Sequence, residues 1–555
     1  PMLSAPDLDR LRDRLHGIGY TVDPVLERLG TAGRRGLERN STRPARDAVT
    51  GGPGDALGSL IRLWILQDAV GQTAIEAALG AELTEALLES GLVHVEWPSS
   101  GRGDRSASGA DRVPSGSPGK ADGGGDEDGA DRADSGSDRR SPGSVPWAGA
   151  SDRALLRAAV SIRPYGAEAG PTGEAVAGWI CHDLLPNLDG RNARPHPSHV
   201  LGVSPASSTL AQLTIRRPVG RALDLGTGCG VQSLHLAAHA KTIVATDLNP
   251  RALELARITT RLSGVDADLR LGSLYEPVAD ESFDLIVSNP PFVISPPGER
   301  LVYREGDLPG DELVRRVIVD GAARLAPEGT MQVLCNWAIL RGTPWDERLG
   351  RWLAATGCDA LVLQREVLDP YEYIEMWLSD AGLDASPEHA AKYADWLAYF
   401  DQLGIEGVGM GWVSVRNAGR ATPHLRIESW PYDVQQPVGD AFAAQQSAVD
   451  ESSIDDDALL DLRWRVHPGV VQETMGRPGA ADPEHIVLRQ GFGLSRATEV
   501  DTPVAALVGA CDGELPARAI IGAVASLLDV DEPALTAELT PRLRELVADG
   551  YLASS

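Results

Sequence analysis

ALDLGTGCGVQSLHLA, residues 222–237, decides the fold of the region around it. Ala222 to Leu225 read as a short apolar strand, Gly226, Gly228 and Gly230 follow at a turn, and a helix begins. Glycines at such a turn adopt φ > 0 and let the backbone approach a ligand closely. The helix start then offers free N–H groups. G-x-G-x-G alone is shared by several nucleotide-binding folds. Asp224 narrows the choice: a carboxylate ending the first strand can take an ammonium group and would repel a pyrophosphate, so this is a poor dinucleotide fingerprint.

Outward from this stretch the pattern repeats. RALDLG (221–226), TIVATD (242–247), DLRLG (268–272), FDLIVSN (283–289) and TMQVLCN (330–336) are short apolar strands with helical segments between them. That rhythm predicts a parallel sheet covered on both faces. Asp247 ends the second strand, 21 residues after Gly226, where an acid can accept hydrogen bonds from both hydroxyls of a ribose. FDLIVSNPPFVISP (283–296) is the most specific signal. Two prolines cannot continue a central ladder, so the chain must leave the sheet rigidly after the fourth strand. Asn289 supplies a side-chain carbonyl acceptor, the backbone of Pro290 supplies another, Pro291 stiffens the turn, and Phe292 offers a ring for stacking on a flat group.

With these residues in place, 201–340 resembles the catalytic domain of Rossmann-like S-adenosylmethionine-dependent methyltransferases. Asn289-Pro290-Pro291-Phe292 is similar to the N-P-P-[YF] motif of release-factor glutamine, adenine-N6 DNA and rRNA guanine-N2 methyltransferases. The resemblance implies S-adenosylmethionine as cofactor, held by Asp224, Gly226, Gly228, Gly230 and Asp247. It places Ser273 where the adenine ring is read, with Leu248 and Leu274 on either side of the ring. Ser273 departs from the family's usual acid. SPASSTL (204–210) stands where related enzymes cover the cofactor, which makes Thr209 a candidate contact. No metal site is implied. All substrates of these families present an NH2 on a planar conjugated carbon, whose delocalised lone pair is a weak nucleophile. Two carbonyl acceptors that hold both N–H bonds turn that lone pair toward the methyl donor, which is catalysis by positioning and electrostatic stabilisation.

Outside this segment the reading is coarser. Tyr303, Arg304, Glu305 and Asp311 follow the motif as a candidate substrate mouth or an ordinary polar loop, and Asn336-Trp337 ends the fifth strand. A helix near 345–356, a strand at 359–366, helices over 370–405 and a strand pair at 409–417 and 424–430 extend the domain. The predicted fold class is α/β, a doubly wound methyltransferase sheet flanked by mainly helical, winged-helix-like domains. The N-terminal one spans 1–170, with a Gly/Ser/Asp/Arg-rich insertion at about 99–150 too poor in apolar residues to order itself. The methyltransferase domain spans 171–432, an acidic linker 433–461, and the C-terminal domain 462–555.

A chain of 555 residues has room for several cores. Its net charge of -28 argues against condensation on nucleic acid through bulk electrostatics, though not against a local basic groove. Five scattered cysteines signal neither a disulfide framework nor a zinc site. No apolar run is long enough to span a membrane, so the expectation is a cytoplasmic protein with no membrane partner. Three readings compete: an N-methyltransferase acting on a protein glutamine or similar amide, an RNA or DNA base methyltransferase, and a non-catalytic module that binds S-adenosylmethionine. The sequence names neither the acceptor nor a partner subunit.

Overall fold

Strands rich in Val, Ile and Leu between residues 219 and 429 assemble into one eight-stranded sheet in the computed structural model. The model describes residues 3–49, 55–97, 154–167, 175–190, 195–298, 308–384, 386–478 and 483–555. The strands are β1 Val219–Leu225, β2 Ala240–Asp247, β3 Asp268–Leu271, β4 Phe283–Ser288, β5 Leu325–Leu340, β6 Asp359–Leu368, β7 Ile405–Arg416 and β8 Leu425–Ser429. Their order is β8-β6-β7-β5-β4-β1-β2-β3. Every pairing is parallel except those of β7, which runs antiparallel to both β5 and β6. The chain reverses its direction of travel across the sheet between β3 and β4. That opens a crevice at the carboxyl ends of β1 and β4, where open α/β sheets bind ligands.

Both faces of the sheet are covered at its centre, where β1 and β4 are buried along most of their length rather than alternating. Leu223, Leu225, Ile286 and Val333 meet α4 (Glu312–Ala322) and α5 (Trp345–Ala354) on one face. Ala222, Leu285, Val287 and Trp412 meet α1 (Pro205–Leu213) and α2 (Val231–Leu236) on the other. Helix α3 (Pro250–Leu262) joins β2 to β3, and α6 (Pro370–Asp380) and α7 (His389–Leu403) are inserted between β6 and β7. Pro370 stands in the first turn of α6, and the Asp369 and Glu372 carboxylates cap each other's backbone N–H.

Several expectations change. The strands read at 409–417 and 424–430 do not pair with each other; each lies beside β6. The boundary set at 170 falls inside a hairpin, because Val160–Ala167 pairs antiparallel with Val176–Asp183. Hydroxyls at the C-terminal end of α3 and just beyond it cap that hairpin's second strand: Ser263 Oγ accepts from Trp179 N at 3.0 Å and Thr259 Oγ1 accepts from Cys181 N at 2.9 Å. The N-terminal region therefore shares a core with the central domain, with Leu8, Leu11 and Leu15 meeting Leu255 and Ile258. The supposed linker at 433–461 contains α8 (Gly439–Ser452) and a further helix at Asp456–Asp461. Its acidic composition hid a stripe of Phe442, Gln446 and Val449 at helical spacing, all buried, and Phe442 packs on Trp412 at 6.3 Å between ring centres. The C-terminal region also holds strands that helical periodicity does not reveal, including an antiparallel meander of Val470–Met475, His485–Gln490 and Ala497–Val500.

After helices Ala5–Ile18, Val22–Glu38 and Arg43–Ala48, the N-terminal region runs helix Ala56–Leu60, a single π turn Ile61–Ile65, strand Val70–Gly71, helices Gln72–Leu79 and Ala81–Glu89, then strands Val93–Glu96 and Leu155–Ala158. These last two pair antiparallel around the 99–150 insertion, which lies outside the described residues. No helix among the described residues is long and apolar enough to cross a membrane.

Candidate active site

The glycine turn after β1 shows two different uses of glycine. Gly226 and Gly228 have φ of 73° and 55°, and a methyl group built on either would meet no atom within 4 Å. They border an open cradle. Gly230 has φ of 84°, but its methyl would lie 3.3 Å from Ala256 of α3. It is there for helix packing, a role the spacing alone does not separate from ligand contact.

The two acids expected around this turn also differ. Asp224 is 1% exposed, and its Oδ2 accepts from Thr227 Oγ1 at 2.6 Å and Ser233 Oγ at 2.7 Å. Burial raises its pKa to about 6 against the lowering effect of these hydroxyls. It is sunk beneath the turn and fixes the turn's shape. Asp247 sits at the mouth: Oδ2 accepts from Gly228 N at 2.9 Å and Oδ1 from Asn249 N at 2.8 Å. Burial raises its pKa as well. Each of its oxygens keeps lone-pair capacity for a further donor, as a ribose diol requires.

Backbone bonds draw the rest of this half together. Gly226 N and Thr227 N both donate to Thr246 O, and Gly272 N donates to Asp247 O at 3.1 Å. The 272–274 turn, with Ser273 and Leu274, therefore lies beside Asp247 and Leu248. Leu248 is 54% exposed and Leu274 has φ of 47°, so the turn is tightly bent at that position. An apolar side chain left in solvent beside an open cradle suits the flat face of a ring. Among the described residues Thr209 Oγ1 bonds along its own helix, donating to Pro205 O at 2.9 Å. Gln232 Nε2 of α2 donates to Ser207 O at 2.7 Å, which is the link between α1 and the glycine turn.

The other half begins one strand away. Ser288 pairs with Leu225 across the β1–β4 ladder, and its Oγ donates to Leu225 O at 2.9 Å. The next residue is Asn289, whose Oδ1 is buried without a hydrogen-bond partner. An unpaired buried carbonyl costs desolvation free energy, about 1–3 kcal/mol, and such a group in a native fold calls for an external donor. Pro290 is buried, Pro291 and Phe292 half-buried. Phe292 packs edge-on against Trp377 of α6, 6.3 Å between centres.

Neighbouring candidates separate. Asp311 is structural: it accepts from Ala338 N at 2.8 Å and pairs with Arg348. Trp337 is fully buried, donates Nε1 to Gln364 Oε1 at 3.0 Å and stacks on Trp345, so it belongs to the core. Asn336 is also fully buried, with Nδ2 donating to Tyr373 Oη at 2.8 Å. Tyr303, Arg304 and Glu305 lie outside the described residues.

Residues 202–343 match the family model described as the Methyltransferase small domain. The central unit is similar to that family over this segment. The flanks, 17–102 and 440–554, match two models described only as domains of unknown function. Among curated proteins, the chain is 34% identical over 145 residues to the ribosomal protein uL3 glutamine methyltransferase of Bradyrhizobium diazoefficiens, covering 24% of this chain and 44% of that protein. It is 38% identical over 124 residues to the release factor glutamine methyltransferase of Deinococcus radiodurans, covering 20% and 44%. It is 34% identical over 93 residues to the ribosomal RNA small subunit methyltransferase C of Salmonella arizonae, covering 16% and 27%. The chain thus spans less than half the length of each relative, and the matched segment is flanked here by regions outside that similarity.

Proposed function

We propose that this chain is an S-adenosylmethionine-dependent N-methyltransferase whose acceptor is a planar amide nitrogen of a protein, a glutamine side chain or its equivalent. The observation that carries this reading is the buried, donor-less Oδ1 of Asn289 at the end of β4, one strand from the glycine cradle. The cofactor would be held by Gly226, Gly228, Asp247 and the apolar faces of Leu248 and Leu274, and it supplies an electrophilic methyl. Asn289 Oδ1 and the Pro290 carbonyl accept the two N–H bonds of the acceptor and orient its lone pair. Phe292 fixes the plane of the amide. No side-chain base is needed before transfer, since the nitrogen becomes acidic only afterwards.

Local charge favours a polypeptide acceptor over nucleic acid. Helix α6, which touches Phe292 through Trp377, carries exposed Glu372, Glu375 and Asp380 and no lysine or arginine. Helix α7 carries Asp395 and Asp401 against the single Lys392. A phosphodiester backbone brought beside that surface would meet repulsion. The similarity to both glutamine methyltransferases supports the same choice, and the similarity to an rRNA methyltransferase is what makes RNA the alternative to test. The order helix, strand, helix, helix, strand, strand in the N-terminal region supports a winged-helix-like module, read here as a means of docking the acceptor.

The test is methyl transfer from radiolabelled S-adenosylmethionine into an extract of cells lacking this protein, split between protease and nuclease. Protease-sensitive label is the expected result. Nuclease-sensitive label would replace the protein acceptor with a nucleic acid and make the terminal regions its readers.

A further inference from the structure

The acceptor segment after β4 is held from outside the sheet. Two of its first three residues are prolines, which have no N–H to donate to a ladder. Two residues beyond Phe292, the backbone N–H of Ile294 donates to Tyr373 Oη at 3.0 Å. The same oxygen accepts Asn336 Nδ2 at 2.8 Å. Ile294, Asn336 and Tyr373 are all fully buried, so water cannot replace either bond. Tyr373 is wedged among Trp377, Trp396 and Phe400, with ring centres 5.8–6.4 Å away. One turn further along α6, Trp377 sets its ring against the edge of Phe292.

One phenol oxygen thus joins the acceptor segment, the extension of β5 and the inserted helix. The β4–β5 register, Ser288 beside Val333, puts Asn336 level with Pro291, so the bond braces the segment at the height of the two prolines. We propose that Tyr373, with Trp377, is a positioning residue of the acceptor site: it fixes the backbone after Phe292 and so the places of the Asn289 and Pro290 carbonyls. This rests on the reading of Asn289 to Phe292 as the acceptor clamp. It makes the α6–α7 insertion part of the catalytic apparatus rather than a peripheral decoration. Catalysis that depends on two fixed carbonyl acceptors is sensitive to small displacements of either.

The test uses the full chain carrying Tyr373→Phe, which keeps the ring and removes the shared oxygen. Hydrogen exchange of the 292–295 amides is expected to rise at least about tenfold, with β4 and β5 unchanged. The rate of transfer into extract protein at saturating S-adenosylmethionine is expected to fall at least about tenfold. Affinity for S-adenosylhomocysteine is expected to stay within about twofold. Wild-type exchange, or a wild-type rate, would overturn the proposal. Phe400→Leu trims the same aromatic cluster without touching the bond; it is expected to lower the melting temperature and leave the rate intact below the transition. An equal loss of rate in Phe400→Leu would make Tyr373 merely structural. If Tyr373→Phe does not fold, Trp377→Leu decides: a loss of rate with cofactor affinity kept supports the proposal, and an unchanged rate overturns it. If the wild type transfers no methyl group, the function proposed above fails, while the exchange comparison still decides what Tyr373 does.

Discussion

The two halves of the crevice are built differently. On the β1–β3 side the contacts stay among the ends of neighbouring strands and the turns that follow them: Asp224 with Thr227 and Ser233, Asp247 with Gly228 and Asn249. On the β4–β7 side the contacts join distant segments: Ile294 and Asn336 with Tyr373, Phe292 with Trp377. Local hydrogen bonds make a cofactor cradle that can recur with little change. Long-range packing makes a wall that can be rebuilt by changing one insertion, which suits the acceptor role proposed for that half.

If the halves are separable, the largest effect falls on Asn289→Ala. Transfer should drop by about 10²–10³-fold, the cost of one preorganised group aimed at the reacting centre. Binding of S-adenosylhomocysteine, measured by calorimetry, should change by less than about threefold. Equal loss of both would merge the halves. Asp247→Ala should do the reverse, weakening cofactor binding by about 10–100-fold, as expected for loss of charged hydrogen bonds worth about 1.5–3 kcal/mol. A selective loss of turnover in that variant would break the comparison.

Asp224→Asn probes stability. A folded-state pKa raised to about 6 from 3.8 means the fold holds the proton more tightly than the unfolded chain does. That contribution is complete below about pH 4 and is lost as pH rises through 6, amounting to roughly 3 kcal/mol at most. Asp224→Asn should therefore flatten the pH dependence of the melting temperature between pH 4 and 6. The same slope in variant and wild type would assign the titration elsewhere. The smallest effects separate the glycines. Gly228→Ala and Gly230→Ala both strain a positive φ by about 1–2 kcal/mol. Only Gly230→Ala also pushes against Ala256, so it should melt lower, while Gly228→Ala should lose more cofactor affinity.

The same division explains what could be read in the sequence. The strand ends and turns around Gly226, Asp247 and Asn289 to Phe292 are legible because each is a short contiguous motif. Asp224 reads as a cofactor contact, and its burial beneath two hydroxyls is not legible, since Thr227 and Ser233 look like ordinary turn and helix residues. Tyr373 was hidden in YEYIEMWL, where an aromatic at helical spacing reads only as core. Its partners lie 79 and 37 residues away. Helix α8 was masked by acidic residues on its exposed side, and the antiparallel course of β7 is set by pairings to β5 and β6 that no local pattern encodes.

The most direct measurement is the chemical fate of the transferred methyl. Protease-sensitive product labelled from S-adenosylmethionine would be hydrolysed in strong acid, the hydrolysate made alkaline, and the volatile fraction counted. An amide nitrogen held by Asn289 and Pro290 predicts that the label leaves as methylamine, because hydrolysis cleaves the amide bond and keeps the N–CH3 bond. Label that stays with a non-volatile amino acid, as on lysine or arginine, would contradict the planar-amide acceptor on which the account of this site rests.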